Sequence, residues 1–68
     1  MPSTVIEDVA YHAPQRELRI TFTTGRIYIY ANVPPHVVEA LVRAGSRGAY
    51  FNRYIRDRYA YREIDPNP

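Results

Sequence analysis

The stretch from Glu17 to Tyr30 constrains this chain more than any other. Leu18, Ile20 and Phe22 alternate with Arg19, Thr21 and Thr23, the period-two pattern of a strand with one buried face. Thr24-Gly25 breaks the pattern, and Arg26 to Tyr30 resumes it as Ile27-Tyr28-Ile29-Tyr30. Two such runs around a glycine turn predict an antiparallel hairpin, whose register decides where the tyrosines point. With a two-residue loop at Thr24-Gly25, Thr21 opposes Tyr28, and both tyrosines share the open face with Arg19 and Thr21. That face would be an aromatic and basic platform of the kind that stacks bases of single-stranded nucleic acid. With a three-residue loop, Thr23-Thr24-Gly25, and Gly25 left-handed, Ile20 opposes Tyr28. The tyrosines then join Leu18, Ile20 and Phe22 in the core, leaving Ile27 and Ile29 exposed. Threonine resists the positive φ that the shorter loop asks of its first residue, which favours the longer one.

Around this hairpin the remaining elements follow from periodicity and turn chemistry. Thr4 to Tyr11 reads as a preceding strand with Val5, Glu7, Val9 and Tyr11 on one face. Pro14 makes 12–16 a turn, since proline cannot donate to a ladder. Val33-Pro34-Pro35 closes the sheet and opens a helix, proline being tolerated in a first turn. Val37, Val38, Leu41 and Ala44 recur at helical spacing, and Gly45 suits the left-handed residue beyond a helix end. Ser46 is placed to cap a second helix, along which Gly48, Phe51, Ile55 and Tyr59 fall in a stripe about 80° wide. Residues 63–68, rich in proline, are expected to be a flexible tail. The predicted class is α+β: a three-stranded antiparallel β-meander followed by two short α-helices packed on one face (βββαα), with residues 3–62 forming one domain.

Composition limits what such a domain does. It has 68 residues and no cysteine, which excludes disulfides and cysteine-based zinc sites. A chain this short buries only roughly 60% of its unfolded surface, so its core rests on packing alone or on packing shared with a second copy. Pro2 to Asp8 carries two acids and no basic leader, and no apolar run approaches the ~18 residues of a membrane span. A cytoplasmic location away from membranes is expected. All nine cations are arginine. Three of them lie in residues 1–42 against four acids, whereas six lie in residues 43–62 against Asp57 alone. A basic second half suits an anionic partner, and the planar guanidinium suits phosphate.

The candidate contacts concentrate there. Asn52 and Arg56 sit one turn apart on the second helix, able to clamp a phosphate or base edge, or to staple the fold through the Gly45-Ser46 turn and Glu39. Arg43, Arg47 and Arg53 flank the corner between the helices, beside the amides that open the second one near Gly48. They form either a phosphate pocket or solvated surface charge. His12 and His36 lie far apart with no third ligand, and Ser3 and Ser46 have no evident base, so neither a metal nor catalysis is expected.

The run Ser46-Arg47-Gly48-Ala49-Tyr50-Phe51-Asn52, then Ile55-Arg56 and Tyr59, stands at a fixed distance after Tyr28-Ile29-Tyr30 and Val33-Pro34. Together these residues resemble the KTSC domain, a small family found at the C-terminus of some lysyl-tRNA synthetases and as free-standing bacterial and phage proteins. The resemblance covers roughly residues 3 to 62. One departure is His12, where the family commonly carries an acid, so no role for that acid carries over. RNA binding is the activity the resemblance implies. The expectation is a non-enzymatic, cofactor-free module that binds RNA or another anionic ligand through Arg43, Arg47, Asn52, Arg53, Arg56 and Tyr30. The alternative is a protein-interaction or self-assembly module, a homo-oligomer joined through the open sheet face or an edge. A third reading is a mononucleotide-binding oligomer using the same chemistry.

Overall fold

The structure, a computed structural model, describes residues 6–64. The strands are β1 (Ile6–His12), β2 (Glu17–Phe22), β3 (Ile27–Tyr30) and β4 (Tyr61–Ile64), and the helices are α1 (Pro35–Arg43) and α2 (Arg47–Tyr54). The strands form one antiparallel sheet in the order β1-β2-β3-β4. The α+β class and the two helices on one face stand, but the sheet has four strands rather than three. Residues 4, 5 and 65–68, assigned above to the first strand and the tail, lie outside the described residues.

The hairpin takes the longer loop. Gly25 adopts φ 94°, its N–H donates to Phe22 O at 2.8 Å, and Phe22 N–H donates to Arg26 O at 2.9 Å. Ile20 therefore opposes Tyr28 and Leu18 opposes Tyr30. Leu18, Ile20 and Tyr30 are buried with Val33 and with Val38 and Leu41 of α1, Phe51 of α2 and Ile55. Both helices thus cover the same sheet face. Truncating a fully buried member such as Leu18 to alanine costs about 2–5 kcal/mol, because little could collapse into the space.

β1 departs from a simple alternation. The register shifts between Ile6 and Asp8, leaving Glu7 as the extra residue of a bulge. Ile6 consequently opposes Phe22 and packs on the core together with Val9, and Glu7 is exposed rather than aligned with Val9 and Tyr11. An ionised carboxylate facing the core would be costly without a partner, and the bulge removes it. Tyr11 reaches past the sheet end and its hydroxyl donates to Val33 O at 2.7 Å, tying β1 to the loop before α1.

The helix ends also differ from expectation. Ala44 leaves α1 in an extended conformation (φ −64°, ψ 144°) with its N–H on Leu41 O, so Gly45 is not a left-handed cap. Ser46 does cap α2, accepting from Ala49 N–H at 3.2 Å. The apolar stripe through Tyr59 does not extend the helix. Phe51 O takes the N–H of both Ile55 and Arg56, Arg58 N–H turns back to Ile55 O, and Asp57 adopts a left-handed φ of 66°. Aspartate tolerates that conformation better than most residues. The turn still directs Ile55 into the core and leaves Tyr59 half-buried against it. It also returns the chain to the free edge of β3, where Ala31 N–H donates to Ala60 O and β4 begins. Glu63 and Ile64, read above as tail, are therefore strand residues.

Candidate functional site

β4 creates the concavity that the sequence reading lacked. Tyr30 opposes Tyr61 and Tyr28 opposes Glu63, so Tyr61 stands on the helix-bearing face beyond the reach of the helices. A cleft of about 310 Å³ opens there, lined by Phe22, Tyr28, Tyr30, Phe51, Arg56, Asp57 and Tyr61. Tyr30 and Phe51 are buried and form its floor. Phe22 and Tyr28 are half-buried at its side, whereas Tyr61, 60% exposed, is an open wall.

The rings form one continuous cluster. Tyr61 lies 5.4 Å from Tyr30 and 5.5 Å from Tyr28, tilted by 32° and 40°. Phe51 meets Tyr30 edge-on at 5.4 Å and Phe22 at 5.5 Å, and Phe22 meets Tyr28 at 5.6 Å. Edge-to-face contacts of this kind hold aromatic walls in place beyond what burial alone gives. The hydroxyls bring polarity into the cleft. Burial, followed by the neighbouring phenols Tyr61 and Tyr28, pushes the Tyr30 hydroxyl up to about 12, against the pull of Arg56. Tyr30 is therefore neutral throughout the physiological range. Arg26 hydrogen-bonds with Tyr28, and this contact, then Glu63, raises its guanidinium above its ordinary range. The arrangement offers flat apolar faces with one cation and one anion, Arg56 and Asp57, exposed at the rim.

The residues singled out from sequence separate into two groups. Tyr30 and Arg56 come together in the cleft, so Arg56 is not spent on Glu39. Arg43 is exposed at the end of α1. Arg47 donates to Val42 O at 3.4 Å, so its guanidinium serves a carbonyl at the end of α1. Arg53 stacks over its neighbour Tyr54 at 5.6 Å, and Tyr54 in turn packs on Tyr50. Asn52 is exposed on α2 and has a partner of its own. Of the amides opening α2, that of Ala49 is taken by Ser46 and Gly48 is buried. The cleft residues missed from sequence are Phe22, Phe51, Asp57 and Tyr61, and Tyr28 was expected to stack bases only from the open face. A signal for Tyr61 exists: Tyr59-Ala60-Tyr61 repeats the period-two spacing of Tyr28-Ile29-Tyr30.

The opposite face carries no helix. Arg19 opposes Ile29 and Ala10, Ile27 opposes Ile64 and Thr21, and Arg62 reaches Glu17 at 3.5 Å. Ile27 and Ile29 are half-buried, not exposed, because β4 flanks them. Among the described residues no three histidine, aspartate or glutamate side chains gather to hold a metal ion, and no helix is long and apolar enough to cross a membrane.

Fold and cleft together define a small α+β domain: a four-stranded meander, two helices on one face, and an aromatic cleft where the last strand outruns the helices. Residues 2–59 match the KTSC domain family, and the chain belongs to it. It is 36% identical over 66 residues to a protein of Stutzerimonas stutzeri, covering 96% of this chain and 93% of that one. A lysine–tRNA ligase of Nostoc punctiforme matches over 61 residues at 34% identity, covering 90% of this chain but 11% of the ligase. The crystal structure of a KTSC domain protein from Yersinia pestis superposes with a TM-score of 0.85 at 29% identity, covering 96% of this chain and 92% of that one.

Proposed function

We propose that this chain is a small, non-enzymatic module that binds single-stranded RNA, with the aromatic cleft as its principal contact. The cleft itself carries the reading: it combines exposed and half-buried tyrosine faces with Arg56 at the rim. Base-on-aromatic stacking gives about 1–3 kcal/mol per base, and it needs the flat, accessible ring that Tyr61 presents. Arg43 at the end of α1, with Arg47, Arg53 and Asn52 of α2, serves as an outer contact to the sugar–phosphate chain. The matched stretch in lysine–tRNA ligases, whose name couples them to an RNA, supports the same reading. It carries with it a cytoplasmic location and no cofactor. Titration of tRNA and of single-stranded oligonucleotides at increasing salt tests it. Affinity is expected to fall linearly in log–log form, as counterion release requires. No binding at low ionic strength would sink it.

A second reading is favoured by the opposite face. Ile27, Ile29 and Ile64 lie together on the helix-free side, and Arg19, Arg62 and Glu17 around them offer both signs of charge to a second copy. The chain would then self-assemble through its open sheet. Sedimentation at high concentration decides this, and a strict monomer would refute it.

A further inference from the structure

The charges at the cleft are unlike those of a phosphate site. A bound phosphate beside Arg56 would also meet the carboxylate of Asp57, the next residue and a lining residue of the same cleft. Both side chains are exposed at the rim, and among the described residues neither forms an ion pair. The turn holds Asp57 in a left-handed conformation, with Arg58 N–H closed onto Ile55 O. A neighbouring cation and anion over an aromatic floor match a group that is flat, neutral, and carries donors and acceptors on its edges. The volume of about 310 Å³ lies at the lower end of the roughly 300–1,000 Å³ typical of small-ligand sites, suited to one nucleoside rather than a long strand.

The bases differ in what they give a carboxylate. Adenine and cytosine present one exocyclic amino group beside a ring acceptor, and uracil presents one imino N–H between two carbonyls. Guanine alone places two donors side by side, N1–H and the N2 amino group, matching the two oxygens of a carboxylate. Its O6 and N7 are the acceptor pair that arginine reads most often. We infer that the cleft accepts a single guanine base stacked on the tyrosine wall, with Asp57 accepting from N1–H and N2–H and Arg56 donating to its acceptors. The inference rests on the RNA reading above and narrows it from any base to one. Phosphates on either side would run outward along α2, toward Arg53.

The test uses the intact chain and three RNA probes: a uridine oligomer, the same oligomer with one central guanosine, and the same with inosine, which lacks the N2 amino group. The guanosine probe is expected to bind about tenfold more tightly than the uridine probe, the size of one specific base contact. Inosine is expected to lose several-fold of that advantage. Asp57→Asn should abolish the guanosine preference, bringing the affinity ratio of the guanosine and uridine probes close to one, and asparagine also tolerates a left-handed backbone. Equal binding of all three probes overturns the guanine inference and leaves the RNA reading standing. Binding of none overturns both. Inosine equal to guanosine shows that the paired donors are not read and overturns the assignment to Asp57. So does an Asp57→Asn protein that melts at the wild-type temperature and weakens every probe alike.

Discussion

The corner between α1 and α2 and the cleft beside β4 both carry exposed arginine, yet they present very different surfaces. At the corner the guanidinium groups act locally: Arg47 reaches Val42 O and Arg53 covers Tyr54. In the cleft, Arg56 stands beside five aromatic rings and a carboxylate, in a concave setting. A row of arginines in sequence is thus a statement about charge, and charge alone attracts any anion. Selective contact needs a surface that fixes the partner's orientation, and that comes from rings held edge to face by their neighbours.

Four substitutions or conditions separate these regions. The largest effect is expected from Phe51→Ala, because Phe51 is both core residue and cleft floor. Stability should fall by roughly 3–5 kcal/mol in chemical denaturation, with binding lost as the cleft collapses. Tyr61→Ala should dissociate the two properties. Its ring is 60% exposed, so stability should change by less than about 1 kcal/mol while RNA affinity falls by about 1–3 kcal/mol in a fluorescence titration. An unchanged affinity would move the interface away from the cleft. Ser46→Ala at the corner is the converse: about 1 kcal/mol of stability lost with the α2 cap, and RNA affinity held within error. A large binding defect there would restore the corner as the site. The smallest effect at neutral pH comes from Tyr30. Its hydroxyl is raised to about 12 in the fold against an ordinary 10.0, so its neutral form is favoured by folding. The contribution is complete below pH 10 and is lost between 10 and 12. In melting curves across that window the wild type should lose stability more steeply than Tyr30→Phe.

Much of this fold was legible in the sequence because the signals were local. Threonine's aversion to positive φ selected the longer hairpin loop, and that single choice turned Tyr28 and Tyr30 inward. The Ser46 cap and the inward set of Gly48, Phe51, Ile55 and Tyr59 likewise follow from spacing. The helix end after Tyr54 was not legible. Residues 55 to 59 satisfy the helical stripe and the real turn equally well, since both bury Ile55. Nor was β4, a short strand whose pairing partner lies some thirty residues earlier in the chain.

The candidate site divides along the same line. Arg56 was identifiable as a cation of the basic second half, and Tyr30 as a tyrosine of the preceding hairpin. Their meeting in one cleft depended on Tyr61, brought in by the left-handed turn at Asp57. Sequence by itself determined the faces of the β2–β3 hairpin, the helix cap and the excess of arginine, all of which are properties of neighbours along the chain. Tertiary structure alone decided which arginine stands beside the rings of the cleft. That choice belongs to the fourth strand, whose place against β3 is set by ladder hydrogen bonds and ring packing between residues far apart in sequence.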